Sequence, residues 1–240
     1  MAQEKLAVEI WSDVVCPWCY LGKHRFDNAL AAFAHRDQVQ VVWKSFQLMP
    51  SMRTDPTISL DEFLAREKGI DVRTAKQMHE RLVHLADEEG LVYHFDQAIP
   101  ANTFDAHRMI HFAKEHGKQG EAEERLFRAY FTEGRNIDER NTLVALGTEI
   151  GLDPKQLSAA LANGTYADDV RTDIHEAAEL GIQGVPFFVL DRKYGVSGAQ
   201  PTPLFRQALE QAFAEWRKSH PEPELQVTQG PACATDGTCD

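Results

Sequence analysis

The chain has 240 residues, 43% hydrophobic and 26% charged, enough apolar content to bury a core in one large domain or two small ones. Its 25 basic against 37 acidic side chains give a net charge of −12, which argues against nucleic acid or anionic membrane as the main partner. The first ten residues carry Glu4, Lys5 and Glu9 with no apolar h-region, and no apolar run approaches a membrane span, so a cytosolic location is expected. Four cysteines in such a protein point to catalysis or metal binding rather than a disulfide framework; they form two close pairs, Cys16/Cys19 and Cys233/Cys239.

Leu6–Trp11 alternates as a strand, and an amphipathic stretch from Tyr20 to Phe33 reads as a helix opening on Cys16-Pro17-Trp18-Cys19. Val39–Phe46 reads as a second strand, expected parallel to the first. From Ser59 to Gly181 strand signals vanish. Ser59-Leu60-Asp61-Glu62 is a capping box, Asp71–Glu89 a helix, and Asn102 a cap for a helix ending at His116-Gly117. Further helices run over Glu121–Glu133, Asp138–Ile150, Asp153–Asn163 and Thr165–Leu180, each closed by a glycine. Pro186–Leu190 and Tyr194–Gly198 form a hairpin, and Thr202-Pro203 starts a last helix to about Lys218. The expected division is 1–50, a helical block at 51–180, 181–218, and a tail at 219–240. That is an α/β frame split by an all-helical insertion.

A cysteine at a helix start meets unpaired N–H groups and the positive end of the dipole, which favour thiolate below the free pKa of about 8.5. Pro17 fits the first helical turn, and the three-residue spacing puts Cys19 on the same face, within disulfide reach. Thiol–disulfide chemistry follows, with Cys16 attacking and Cys19 resolving. Trp18 is expected exposed beside the thiol and Trp11 in the core. His107 and His111 stand four apart on one helix, but no glutamate follows His107 and no third ligand is evident, so no metal is assigned there. No cofactor is expected.

The order strand, C-x-x-C helix, strand, hairpin entered through Gly184-Val185-Pro186, helix, with a helical block between the halves, resembles DsbA-like oxidoreductases of the thioredoxin fold. Three finer stretches resemble their cytosolic FrnE-like branch: Trp11 to Gly22, Asn102-Thr103 with Ala106-His107-Arg108, and Gly181 to Phe188. The resemblance implies that Pro186 is cis and faces the thiols, and that Val185 pairs with an extended substrate. It also implies that Asn102 and His107 line the pocket with Trp18. The expected partners are protein or small-molecule thiols and disulfides, with glutathione or a thioredoxin-type protein as reductant. The sequence departs from that pattern twice. Pro-Trp replaces the Pro-His of strongly oxidising members, which implies a less oxidising couple and a reductase or isomerase. The acid that often lies under the resolving cysteine has no certain match; Glu9 is a candidate, its alternative being an exposed strand residue.

Three readings stay open beside this one. The tail pair Cys233/Cys239 either exchanges disulfides with Cys16/Cys19 or is a local clasp. All four cysteines could instead clamp one zinc ion in a binding module. Kappa-class glutathione transferases and 2-hydroxychromene-2-carboxylate isomerases resemble the architecture, but they typically carry serine at the position of Cys16.

Overall fold

The computed structural model describes residues 4–221. The pair Cys233/Cys239 and the exchange expected of it lie outside the described residues.

Four strands form one sheet in the order β2-β1-β3-β4. The central strand β1 (Leu6–Ser12) runs parallel to β2 (Val39–Ser45), in a register from Leu6 opposite Val39 to Ser12 opposite Ser45. It runs antiparallel to β3 (Phe187–Leu190), which turns into β4 (Tyr194–Ser197). Asp191 and Arg192 make that turn with φ of 51° and 52°, two left-handed residues whose twist matches the flanking strands.

Alternation along β1 explains the layers. Leu6, Val8 and Ile10 join the main core, where Phe26 of α1 (Pro17–Ala31) meets Phe188 of β3 and Phe205 of α9 (Thr202–Ser219). Trp11 points the other way, into a smaller cluster with Ala177, Ile182 and Val189 beside α8 (Ala167–Glu179). Glu9 shares that second side. It is buried and paired with Arg192 of the hairpin turn, which in turn reaches Glu176 at 2.7 Å. So Glu9 is neither an exposed strand residue nor the acid beneath Cys19. Its place on the central strand buries it, and the hairpin supplies its cation.

Between the halves of the frame stand α2 (Leu60–Lys68), α3 (Val72–Glu88), α4 (Phe104–Glu115), α5 (Gln119–Phe131), α6 (Arg140–Glu149) and α7 (Pro154–Asn163), with α8 following. The capping box at Ser59 forms and Asp153 caps α7, both as expected, while Asp71, expected as the first helical residue, is the cap of α3. Asn102 precedes the α4 cap at Thr103; its Oδ1 accepts from the Phe104 N–H at 2.9 Å. Eight consecutive residues of α4, Ala106 to Ala113, are buried, so this helix is the axis of the block. Buried Arg108 donates to the carbonyls of Ala160, Leu161 and Thr165 and so satisfies the end of α7.

Aromatic and ionic ties hold the block to the frame. Tyr20 of α1 stacks on Phe127 at 4.9 Å, and Tyr93 donates from its hydroxyl to Pro17 O at 2.8 Å. Asp173 of α8 accepts from Lys44 at 2.9 Å, the Ser45 N–H at 2.9 Å and His111 at 3.0 Å. No helix among the described residues is long and apolar enough to cross a membrane.

Candidate active site

β1 ends at Ser12, and the chain turns through Asp13 to Val15 into α1. Cys16 is the extended N-cap residue (φ −89°, ψ 111°) and Pro17 the first helical residue. That place suits proline, whose missing N–H would have no partner there. The N–H groups of Cys19 and Tyr20 go to the Cys16 carbonyl, at 2.9 Å and 3.4 Å. The sulfur itself makes no capping bond to the helix. It donates instead toward the Val185 carbonyl, 3.5 Å away. The Val185–Pro186 peptide is cis.

Both thiols are free and little exposed, Cys16 at 4% and Cys19 at 1%. Cys19 is held well above the ordinary thiol range. Burial is the largest cause, and the neighbouring Cys16 sulfur adds to it against opposing contacts from the Asp13 backbone and the Ser12 hydroxyl. Such a group stays protonated until something removes its proton.

The Cys16 sulfur borders a cavity of about 330 Å³. Val15, Trp18 and Val185 line it on the frame side, and Tyr130 of α5 lines it from the block. Met49, Met52, Phe63, Met78 and Phe95 close it from the 48–52 loop and the helical block. Trp18 is 43% exposed at the mouth, while Trp11 is fully buried. Lys68 and His79 bring the charge-bearing groups, and His79 is engaged by Asp61 at 2.5 Å.

The structure thus brings Cys16, Cys19, Trp18, Val185 and Pro186 together. It does not bring Asn102 or His107 to the cavity wall. Asn102 lies beside it and fastens the loop that forms the wall, its amide donating to Met52 O at 2.9 Å. His107 is buried behind the thiols, 3.4 Å from Asp13. Burial would lower its pKa, but the bond and charge of Asp13 outweigh that and raise it. His107 and His111 serve different carboxylates, Asp13 and Asp173. No group of three or more His, Cys, Asp or Glu among the described residues is placed to hold a metal ion.

Sequence reasoning missed the buried acidic residues near the thiol-bearing turn, Asp13 and Glu123. Asp13 is almost fully buried and accepts from the Leu48 N–H at 2.8 Å as well as facing His107. Glu123 of α5 is equally buried. Asp13 was within reach as a charged residue inside an apolar strand end. Glu123 was not, since Glu121, Glu123 and Glu124 look alike in the sequence.

Gly22 sets the distance between α1 and the proline loop. A Cβ there would come within 2.9 Å of Pro186 Cγ and 3.4 Å of the Ala199 backbone. Gly22→Ala should therefore destabilise by about 1–3 kcal/mol through overpacking. Because the displaced atom is Pro186, thiol–disulfide exchange should slow as well. Urea midpoints and turnover on the same samples check this. A fall in stability with unaltered turnover would mean the loop shifts without disturbing Cys16.

A family model described as DSBA-like thioredoxin domain matches residues 7–210. The uncharacterized protein YwbO of Bacillus subtilis is 32% identical over 204 residues, covering 84% of this chain and 94% of its own. The crystal structure of the probable DsbA oxidoreductase SCO1869 from Streptomyces coelicolor is 43% identical and covers 98% of both chains with a TM-score of 0.82. The cytosolic disulfide reductase DsbM of Pseudomonas aeruginosa shares the fold, with a TM-score of 0.63 at 20% identity over 88% of this chain and all of its own. With a thiol pair at the start of the first helix, a thioredoxin-type sheet around it and a helical insertion above it, the chain belongs to the DSBA-like thioredoxin-domain family.

Proposed function

We propose that the protein is a thiol–disulfide oxidoreductase of the reductase or isomerase type, working through a Cys16/Cys19 couple. The observation that carries this is the placing of two free thiols at the start of α1, the outer one beside Val185 O and a roomy apolar cavity. A buried structural cysteine needs no such opening.

The Cys16 thiolate attacks one sulfur of a substrate disulfide lying along Val185-Pro186. A Cys16–substrate bond forms, and the other substrate sulfur leaves with the electron pair. Cys19 then attacks Cys16 and releases the second substrate thiolate. The substrate gains two electrons, and the two cysteines become a disulfide that a cellular thiol must reduce. The apolar wall favours disulfides flanked by apolar groups, and three methionines in it can repack around different shapes. On this reading the helical block at 51–180 acts as the unit that selects the substrate. The tail pair Cys233/Cys239 is a candidate carrier of electrons to the couple.

Disulfide turnover with an excess of small thiol, followed by mapping of the oxidised protein, tests the proposal. A Cys16–Cys19 disulfide formed by one equivalent of oxidant and consumed by reductant is the expected result. Absence of that bond overturns the couple. Changing Cys233 and Cys239 together to serine should slow re-reduction by a protein dithiol. Unchanged re-reduction removes the tail from the cycle.

A further inference from the structure

The cavity beside Cys16 holds more than an apolar wall. Among the described residues that line it none is an aspartate or glutamate, yet three polar side chains of the block reach it: Lys68 at the end of α2, His79 of α3 and Tyr130 of α5. His79 is 8% exposed and Tyr130 1%. The Tyr130 hydroxyl completes no hydrogen bond among the described residues, yet it keeps some accessible surface. In a residue so buried, that surface belongs to the cavity. Polar groups left without partners inside a fold are rare and call for a reason.

His79 is oriented from behind. Its Nδ1 lies 2.5 Å from Asp61 Oδ1, and its ring stacks on Phe95 with centroids 4.2 Å apart. One nitrogen and the ring plane are thus fixed, and Nε2 has no hydrogen-bond partner among the described residues. When protonated, the ring gives Nδ1–H to Asp61 and Nε2–H to the contents of the cavity, and an anion there favours that form. Lys68 is exposed and tied to no carboxylate among the described residues. Its ammonium can only donate. Three donors and no carboxylate suit a negatively charged acceptor. The chain as a whole carries −12, so any preference for an anion must arise locally, against the field of the rest. Size limits the ligand further. At about 330 Å³ the cavity lies at the small end of small-molecule sites. An apolar cavity of about 150 Å³ takes one benzene ring, so about two rings fit here.

We propose that the cavity selects small disulfides whose sulfurs are carried on an apolar, ring-sized body ending in a carboxylate. The sulfur lies at Cys16, and His79, Tyr130 and Lys68 take the carboxylate. This rests on the Cys16/Cys19 couple proposed above and adds the class of its substrate. The Cys16 thiolate bonds one substrate sulfur, and the other leaves as a thiolate with the electron pair. Cys19 then bonds Cys16, gives its proton to water and releases the second thiolate. Two electrons pass from the dithiol to the substrate. Met49, Met52 and Phe63 pack against the apolar body. Glutathione disulfide fits less well, because its ammonium groups would meet Lys68 and His79 with no carboxylate to receive them.

The test is rapid mixing of reduced protein with the disulfide of para-mercaptobenzoic acid, or with its uncharged bis-amide, following the absorbance of the released thiol. Rates are divided by those with free dithiothreitol, which removes differences between the leaving groups. The carboxylate should half-saturate at a concentration about tenfold below that of the amide, the value of hydrogen bonds to a charged group, and the limiting rates should agree. Glutathione disulfide should need a higher concentration than the aromatic carboxylate. Lys68→Gln, His79→Gln and Tyr130→Phe should each narrow the gap between carboxylate and amide, and Lys68→Arg should keep it. Equal half-saturation of the two aromatic disulfides by the wild type overturns the proposal, as does a gap unchanged in all three narrowing variants. Tighter use of glutathione disulfide overturns the apolar body. Should His79→Gln fail to fold, the exposed Lys68 and the Tyr130→Phe change, which removes only a hydroxyl, decide. If the wild type releases no second thiol from any of the three disulfides, the couple itself is wrong and the selectivity falls with it.

Discussion

Cys16→Ser should bring disulfide turnover down to the uncatalysed background. An alcohol ionises far too weakly at neutral pH to attack a disulfide, and among the described residues no other thiol lines the cavity: Cys19 is 1% exposed. Cys19→Ser should behave differently. Attack by Cys16 survives, but the mixed disulfide loses its resolving neighbour and must await a thiol from solution. A neighbour on the same helix acts at an effective concentration well beyond the mM range that even a flexible tether provides, so the trapped adduct should accumulate. Intact mass measurement after exposure to a model disulfide reads both predictions together. Adducts on Cys19→Ser and none on Cys16→Ser are expected. Substantial turnover by Cys16→Ser would show that chemistry proceeds through another group. The trapped species also reports what the cavity accepts, because Met49, Met52, Phe63 and Met78 would pack around whatever flanks the captured sulfur.

Local signals carried much of this far into the structure. Ser59 and Asp153 each announce a helix by a side chain that bonds the backbone three residues on, and each does so in the fold. The strand–turn–helix around Cys16 is legible for the same reason, since Pro17 and the alternation of Leu6–Trp11 are local facts. What stayed hidden is what the insertion brings to the frame. The motif containing Asn102 and His107 marks a site-forming segment, yet neither side chain lines the cavity; one fastens the loop at Met52 and the other answers Asp13. Glu9 fits the acid beneath Cys19 only by resemblance, with one residue inserted before Cys16. Only the sheet order, with β3 beside β1, reveals that Arg192 claims it. Glu123 is buried within the field of Asp13, more than a hundred residues before it, across an interface that no periodicity describes.

Asp173 is where that long-range assembly should prove most costly to break. Its side chain is 5% exposed and accepts from Lys44 and the Ser45 N–H of β2 and from His111 of α4. One carboxylate thus joins sheet, insertion and the helix that leads back to the hairpin. Asp173→Ala leaves the buried Ser45 N–H without its acceptor and the partly buried Lys44 with one carboxylate fewer, a change worth about 3–5 kcal/mol. The lower end is expected, because Glu176 still holds Lys44 at 2.9 Å. The pH dependence gives the effect a signature. Burial alone would raise the Asp173 pKa, but the bonds from His111, Lys44 and the Ser45 N–H outweigh it and hold the carboxyl below its usual value. A carboxyl depressed in the folded state stabilises above its unfolded pKa of about 3.9 and loses that contribution as pH falls through the folded value. The stability gap between wild type and Asp173→Ala should therefore be full at neutral pH and narrow below about pH 4. Urea unfolding of both proteins across that range measures it. A gap that stays constant into acid would assign the loss to packing rather than to charge.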